Sequence, residues 1–215
     1  MIDPAIPRLY AYHRALREAA AAGKQNVTSQ ELAALVGHTI SSTQIRKDLS
    51  ALGPLGRRGH GYAIVPLSEQ LAWVLGLDHE WRIAIAGFGY LGHALATFIA
   101  SRESRFRIAV IFDRSPSVIG QQWNGLTVAD ISNMEHDVQH ADCNIGVIAV
   151  PAPAAPAIAD RMASAGIRAI LNFAPAVLHL RAPVLVRNVD LAGELSMLTH
   201  WLTVADASAG AEAHA

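Results

Sequence analysis

The sequence predicts an α/β protein in two parts, an N-terminal winged helix-turn-helix over residues 1–78 and a C-terminal doubly wound, Rossmann-like parallel sheet over 79–204, followed by a disordered tail over 205–215. Three observations carry this reading. The stretch Trp81-Arg82-Ile83-Ala84-Ile85-Ala86-Gly87-Phe88-Gly89-Tyr90-Leu91-Gly92 is an apolar strand that runs into a glycine-rich turn and then a helix. Two short helices with capping residues precede a basic, glycine-punctuated segment over 53–65. Beyond residue 78, short apolar runs alternate with helical patterns, as in a parallel sheet covered by helices.

The whole-chain numbers narrow the class. With 52% hydrophobic and 16% charged residues in a chain of 215, there is enough apolar material for buried cores, which sets aside a disordered chain. No apolar run has the length of a membrane span, and Met1-Ile2-Asp3-Pro4 lacks a basic region ahead of an apolar one, so a cytoplasmic protein with no membrane partner is expected. The single cysteine, Cys143, excludes an internal disulfide and reads as a small buried residue at a strand entrance. Charge is divided along the chain. Residues 1–62 carry eight Lys/Arg and four Asp/Glu, whereas the remainder carries nine and fourteen, so the front is the part suited to a polyanion.

Taken in order, residues 8–22 form a helix with Leu9, Tyr12 and Leu16 on one face, and Gly23 is its stop. Thr28 and Glu31 have capping-box spacing before a short helix that Gly37 ends. Ser41 and Gln44 repeat the spacing before a third helix. There Ile45, Leu49 and Leu52 face inward, and Arg46, Lys47, Asp48 and Ser50 are expected in solvent. Two capped helices around a tight turn, the second with a basic face, suit a helix-turn-helix, although the same pattern serves an ordinary three-helix packing unit. Ser42, Thr43 and Gln44 would present short hydrogen-bonding groups to base edges, with Arg46 and Lys47 for phosphate or guanine. The segment Gly56-Arg57-Arg58-Gly59-His60-Gly61-Tyr62 reads as a wing, with Arg57 and Arg58 at its tip and Gly59 allowing the backbone close to DNA. A short helix over 66–75 leads to the boundary near residue 78.

In the second part, Gly87 permits the sharp turn, Gly89 lets a pyrophosphate approach the backbone, and Gly92 lets the helix pack closely on the strand. The helix from Tyr90 and Leu91 onward offers its free N–H groups and positive end to an anion. A second strand, Phe106-Arg107-Ile108-Ala109-Val110-Ile111-Phe112, ends at Asp113, whose carboxylate would accept ribose hydroxyls and repel a 2′-phosphate. That favours NAD(H) over NADP(H), with Arg114 the neighbouring group able to hold a phosphate. A tight βα turn without ligand is the plain alternative. Further on, the pattern gives a helix over 131–138, a strand over 145–150, a Pro151-Ala152-Pro153 turn, a helix over 154–165, strands over 169–173 and 184–188, and a helix over 191–202 whose Leu191, Leu195, Leu198 and Leu202 form an apolar face. His136 and His140 lie four apart, but a solvated helix face accounts for them, and no metal is expected.

In this order of parts the chain resembles Rex, the bacterial redox-sensing transcriptional repressor family. The residues that carry the resemblance are Gln44-Ile45-Arg46-Lys47-Asp48-Leu49-Ser50, the wing segment from Gly56 to Tyr62, Gly76-Leu77-Asp78-His79-Glu80-Trp81, the Gly87 to Gly92 turn, Gly166-Ile167-Arg168-Ala169-Ile170-Leu171-Asn172-Phe173-Ala174-Pro175, and Asn188-Val189-Asp190-Leu191. The resemblance implies a homodimer with a swapped C-terminal helix, bound to an inverted-repeat operator in double-stranded DNA and released when NADH binds, NAD being the other ligand state. It also implies cofactor contacts from Gly87, Phe88, Gly89, Tyr90, Leu91, Gly92, Asp113, Arg114, Val150, Pro151, Asn172, Phe173, Ala174, Phe98 and Asp190, and a switch in which Asp190 pairs with Arg14 across the dimer. Phe98 stands where some members have tyrosine. Two other classes compete. A NAD-dependent oxidoreductase needs a positioned acid or base, for which the C-terminal region offers mainly Asn172, Phe173 and His179. A coenzyme A-binding module would leave Asp113 without its ribose partner, and a basic winged helix is superfluous in both.

Overall fold

The computed structural model describes residues 4–212 apart from 38, 55, 58–60, 103–104 and 181, and its description of residues 57, 102 and 205–212 is limited to the backbone. The chain divides into two compact units, Met1–His79 and Glu80–Ala215.

The first unit begins with α1 (Ile6–Ala21), in whose first turn Pro7 sits where a missing N–H costs no helical bond. β1 (Asn26–Val27) follows, then α2 (Ser29–Leu35), which carries the full capping box: Glu31 N donates to Thr28 Oγ1 at 3.1 Å and Thr28 N donates to Glu31 Oε2 at 2.7 Å. α3 (Ser42–Ser50) has half a box. Ser41 Oγ accepts from Gln44 N at 3.1 Å, but the Gln44 side chain turns away to Asp48. β2 (Gly56–Arg57) and β3 (Gly61–Ala63) form a hairpin whose β3 also pairs with β1, and α4 (Ile64–Val74) closes the unit. Tyr12, Leu16, Leu32, Ile45, Leu49, Leu67 and Leu71 are buried together, each aliphatic side chain contributing roughly 1.5–3 kcal/mol of burial. Asp48 corrects the sequence reading. It is buried rather than solvated, because Arg8 and Tyr12 of α1 cover that side of α3.

In the second unit, β4 (Trp81–Ala86), α5 (Tyr90–Arg102) and β5 (Phe106–Asp113) form the βαβ start of a parallel sheet. The chain then adds β6 (Gln122–Trp123), β7 (Leu126–Asp130), α6 (Met134–His140), β8 (Ile145–Ile148), α7 (Ala155–Ser164), β9 (Ala169–Asn172), β10 (Leu185–Asn188) and α8 (Leu191–Glu212). Among the described residues the sheet order is β10-β9-β8-β4-β5-β7-β6, parallel except for the β6–β7 pair. The order reverses at β4, so a crevice opens between the ends of β4 and β8. The register keeps those ends level: Asn188 aligns with Asn172, Asn172 with Ile148, Ile148 with Ala86, and Ala86 with Phe112. The loops leaving five strands therefore share one rim.

One element is added and one expectation corrected here. The segment between β5 and residue 131, for which the sequence pattern gives no strand, contains the β6–β7 hairpin, turned by Asn124 (φ 46°) and Gly125 (φ 80°), the left-handed pair that a tight hairpin requires. The tail expected to be disordered from Ala205 is helical to Glu212, in keeping with the strong helix propensity of its alternate alanines. Cys143 is buried as expected, and burial pushes its thiol up to about 11. Among the described residues no helix is long and apolar enough to cross a membrane.

Candidate functional site

The rim of the sheet holds a cleft of about 540 Å³. Gly87, Gly89, Tyr90 and Leu91 from the turn after β4 line it, together with Asp113 and Arg114 after β5, Val150 and Pro151 after β8, and Phe173 after β9. The sequence reading named all nine. It did not assign Ile131, Ala149, Ala154, Ile158 and Pro175, apolar residues that complete the lining, of which only Pro175 lies in a motif.

The turn has the shape of an anion cradle. Gly87 has φ 93°, and a Cβ there would lie 2.6 Å from the Ala149 carbonyl oxygen, so β8 fits against the turn only because position 87 is glycine. A Cβ on Gly92 would run into the Gly87 carbonyl oxygen. At Gly89 a Cβ would meet nothing within 4 Å; this glycine faces open space. His93 N donates to the Gly89 carbonyl at 2.9 Å, so Gly89 caps α5, and the first-turn N–H groups of that helix have no intrahelical acceptor. A phosphate would find donors and a positive helix end there.

Asp113 is fixed beside the turn. Its Oδ2 accepts from Phe88 N at 2.7 Å and its Oδ1 from Ser115 N at 2.8 Å. A carboxylate has about four acceptor directions, so both oxygens retain capacity toward the cleft. These residues fit a dinucleotide: glycines for the pyrophosphate, an acceptor-only group for ribose hydroxyls, and apolar walls for a base. Phe88 serves through its backbone only. Its ring is buried, edge-on to Trp123 at 6.2 Å between centroids. Gly92 lies beneath the cleft as a packing residue.

A second cleft of about 500 Å³ adjoins the first through Phe173 and Pro175. Ala174, Asn188, Val189 and Asp190 line it. Asp190 also caps α8, since Gly193 N donates to its Oδ1 at 2.9 Å. Asn172 corrects an expectation. Its side chain is fully buried, donating to the Ala174 and Ala176 carbonyls and to Asn188 Oδ1 and accepting from Ala174 N, so it holds the loop between the two clefts instead of facing a ligand. Phe98 lies outside both clefts, on α5, and is 58% exposed. His136 stacks on His140 with centroids 6.0 Å apart, and among the described residues no group of three potential metal ligands occurs.

In the first unit, Thr43, Arg46, Lys47 and Ser50 are exposed together on α3, while Ser42 and Gln44 are half-buried. Arg46 is held in place: its guanidinium donates to Ser29 Oγ and to Thr43 Oγ1, both at 3.0 Å, which ties it to the start of α2. Arg57 occupies β2, and Arg58 and Gly59 lie outside the described residues. Arg14 is exposed on α1, 4.0 Å from Glu18 one turn on.

The buried group that the sequence did not reveal is Asp48. Its Oδ2 accepts from Arg8 Nε at 2.7 Å and Tyr12 OH at 2.8 Å, and its Oδ1 from Arg8 Nη2 at 2.8 Å and Gln44 Nε2 at 2.7 Å. The Arg8 hydrogen bonds, with those of Tyr12 and Gln44, hold its carboxyl at about 2, well below the usual range. Burial and the same carboxylate push the Tyr12 hydroxyl above its ordinary value.

Comparison with known proteins gives a consistent set. Residues 78–176 match a family described as CoA binding domain, and residues 3–50 one described as putative DNA-binding protein N-terminus. The chain is 40% identical over 200 residues to the redox-sensing transcriptional repressor Rex of Roseiflexus sp., covering 93% of this chain and 90% of that one. It is 41% identical to Rex 1 of Thermotoga maritima over 91% and 93% of the two chains. Among solved structures, RSP in complex with β-NAD⁺ and operator DNA has a TM-score of 0.89 at 31% identity, covering 99% of this chain and 97% of that one. RSP in complex with β-NADH has 0.84 at 31%, covering 98% of each.

Proposed function

Because the chain belongs to the Rex family of redox-sensing transcriptional repressors, we propose that it is a cytoplasmic homodimer that represses transcription from an inverted-repeat operator and releases it when NADH binds. The observation that carries this is the presence, in one chain, of a basic winged-helix unit and a glycine-turn cleft closed by the Asp113 carboxylate. Thr43, Gln44, Arg46 and Lys47 of α3 and the wing arginines Arg57 and Arg58 would contact DNA, the cations on phosphate or guanine.

The bound nicotinamide supplies one unit of charge, positive in NAD⁺ and absent in NADH. Asp190 in the second cleft is the carboxylate placed to respond to that difference, and Arg14 is its expected partner in the dimer. For NADH to move a population from 1:99 to 99:1 it must favour the released arrangement by about 10⁴-fold. The role is that of a regulator, as in the Rex relatives; among the described residues the titratable side chains on the two clefts are Tyr90, Asp113, Arg114 and Asp190, and Asp113 and Asp190 each accept from backbone N–H groups.

A gel-shift titration of the full chain on a palindromic duplex, with NAD⁺, NADH or NADPH added, tests this. Retention with NAD⁺ and release by NADH at lower concentrations than NADPH is the expected result. A chain that binds no duplex specifically, or holds it equally with all three, is not such a repressor.

A further inference from the structure

The side chain of Gln44 is held by a group that does not itself reach outward. Asp48 is buried and ionised, and a carboxylate can only accept hydrogen bonds. Its contact with Gln44 at 2.7 Å therefore fixes which end of that amide faces it: the nitrogen points to Asp48 and the carbonyl oxygen points away. Arg8 and Tyr12 use the remaining acceptor directions of Asp48, so the carboxylate cannot swing to follow another partner. Gln44 is the third residue of α3, half-buried at the end of the helix that meets base edges in a helix-turn-helix.

We propose that Asp48 is a positioning residue that sets the base specificity of Gln44, locking its amide so that it reads adenine and rejects guanine. This rests on the winged helix binding DNA as stated above. One N–H of the amide is committed to Asp48, which leaves an acceptor and a donor. That pair matches adenine, whose major-groove edge offers the N6 amino donor and the N7 acceptor. Guanine presents two acceptors, O6 and N7, and suits the amide only after a flip that would turn the carbonyl oxygen onto the Asp48 carboxylate. Without Asp48 the flip is free, and the same glutamine serves both bases.

The consequence is a loss of discrimination with little loss of affinity. Two equally populated amide orientations weaken the preferred complex by only about twofold per half-site. The adenine-over-guanine preference, about five- to a hundredfold for one well-made bidentate contact, falls to within about twofold.

The test uses the full chain and a palindromic duplex that it selects from a random pool, with each half-site position then replaced in turn. Gln44→Ala identifies the position that Gln44 reads. Asp48→Asn is expected to lose adenine-over-guanine preference at that same position, to keep its preferences elsewhere and its salt dependence, and to add nothing when combined with Gln44→Ala. Because Asp48→Asn leaves Arg8 without its carboxylate, Arg8→Gln/Asp48→Asn, in which no charge is stranded, is measured beside it, with thermal melts to confirm folding. If Gln44→Ala loses preference at one position while a folded Asp48 variant keeps it, the locking role is wrong and the DNA-binding assignment stands. If Gln44→Ala changes no position, both the locking role and base reading by Gln44 are wrong. If no duplex is selected, the repressor assignment fails with them.

Discussion

Substituting alanine at Gly89 and at Gly92 separates the shape of the turn from its purpose. The added atom is the same in both, yet the surroundings differ. At Gly89 a Cβ has nothing within 4 Å, and the backbone there does not lie in the left-handed region, so Gly89→Ala should fold with stability within about 1 kcal/mol of the parent. What it occupies is the open space over the start of α5 where the proposed pyrophosphate would sit. Forcing a methyl-sized group into a close-packed contact costs roughly 1–3 kcal/mol, about five- to a hundredfold in cofactor affinity. Gly92→Ala instead pushes against the Gly87 carbonyl, which is backbone and cannot rotate aside. It should destabilise the second unit by roughly 1–3 kcal/mol or more and lose cofactor binding as a by-product. Calorimetric titration with NADH and denaturant unfolding of the two variants read both effects. A Gly89→Ala chain that binds NADH like the parent would refute the placement of the phosphates over Gly89.

Three other outcomes follow from the same geometry. Asp48 is held at about 2 against an ordinary 3.8, which corresponds to about 2 kcal/mol of stability in the first unit. The depressed carboxyl supplies it above the unfolded value and loses it as pH falls from about 4 to about 2; denaturant unfolding across that range should show the slope in the parent and not in Asp48→Asn, and equal slopes would remove the account. Leu191, Leu195, Leu198, Trp201 and Leu202 are each more than half exposed on α8, so a chain ending at Asp190 should sediment as a monomer where the full chain is a dimer, and a persisting dimer would place the interface elsewhere. NADH should bind more tightly than NADPH because Asp113 is fixed by two backbone N–H groups and cannot withdraw from a 2′-phosphate; equal affinities in calorimetry would show that Arg114 decides instead.

What could be read from the sequence was what local rules encode. The capping box of Thr28 and Glu31, the glycine turn from Gly87 to Gly92, and Asp113 at the end of the next strand all depend on neighbours a few residues away or on one βαβ unit. The Asn124-Gly125 hairpin was equally local, and its signal was present but was hidden by the short strands beside it. Asp48 is the opposite case. Its spacing from Ile45 and Leu49 gave it to solvent, and only the arrival of Arg8 and Tyr12, 40 and 36 residues earlier in the chain, buries it. Asn172 failed for the same reason: an asparagine at a strand end looks like a ligand contact until the partners that saturate it, in the following loop and on β10, are known.

That saturated asparagine explains why the two clefts can act as one site. The loop over 173–176 lines both, and Asn172 clamps it from beneath by holding the carbonyls of Ala174 and Ala176 while also holding Asn188 at the end of β10. Two residues beyond Asn188 the chain reaches Asp190, which lines the second cleft and at the same time caps α8. Gly193 leaves room for this, because a Cβ there would lie 2.7 Å from Asp190 Oδ2. One carboxylate thus faces whatever charge enters the cleft and stabilises the start of the apolar helix, a cap worth about 1 kcal/mol. A ring that attracts Asp190 competes with the cap, and a neutral ring does not. If the nicotinamide binds beside Asp190 as proposed, its charge and the first turn of α8 would be coupled through a single side chain, with the clamped loop keeping the rest of the rim in place while that competition is resolved.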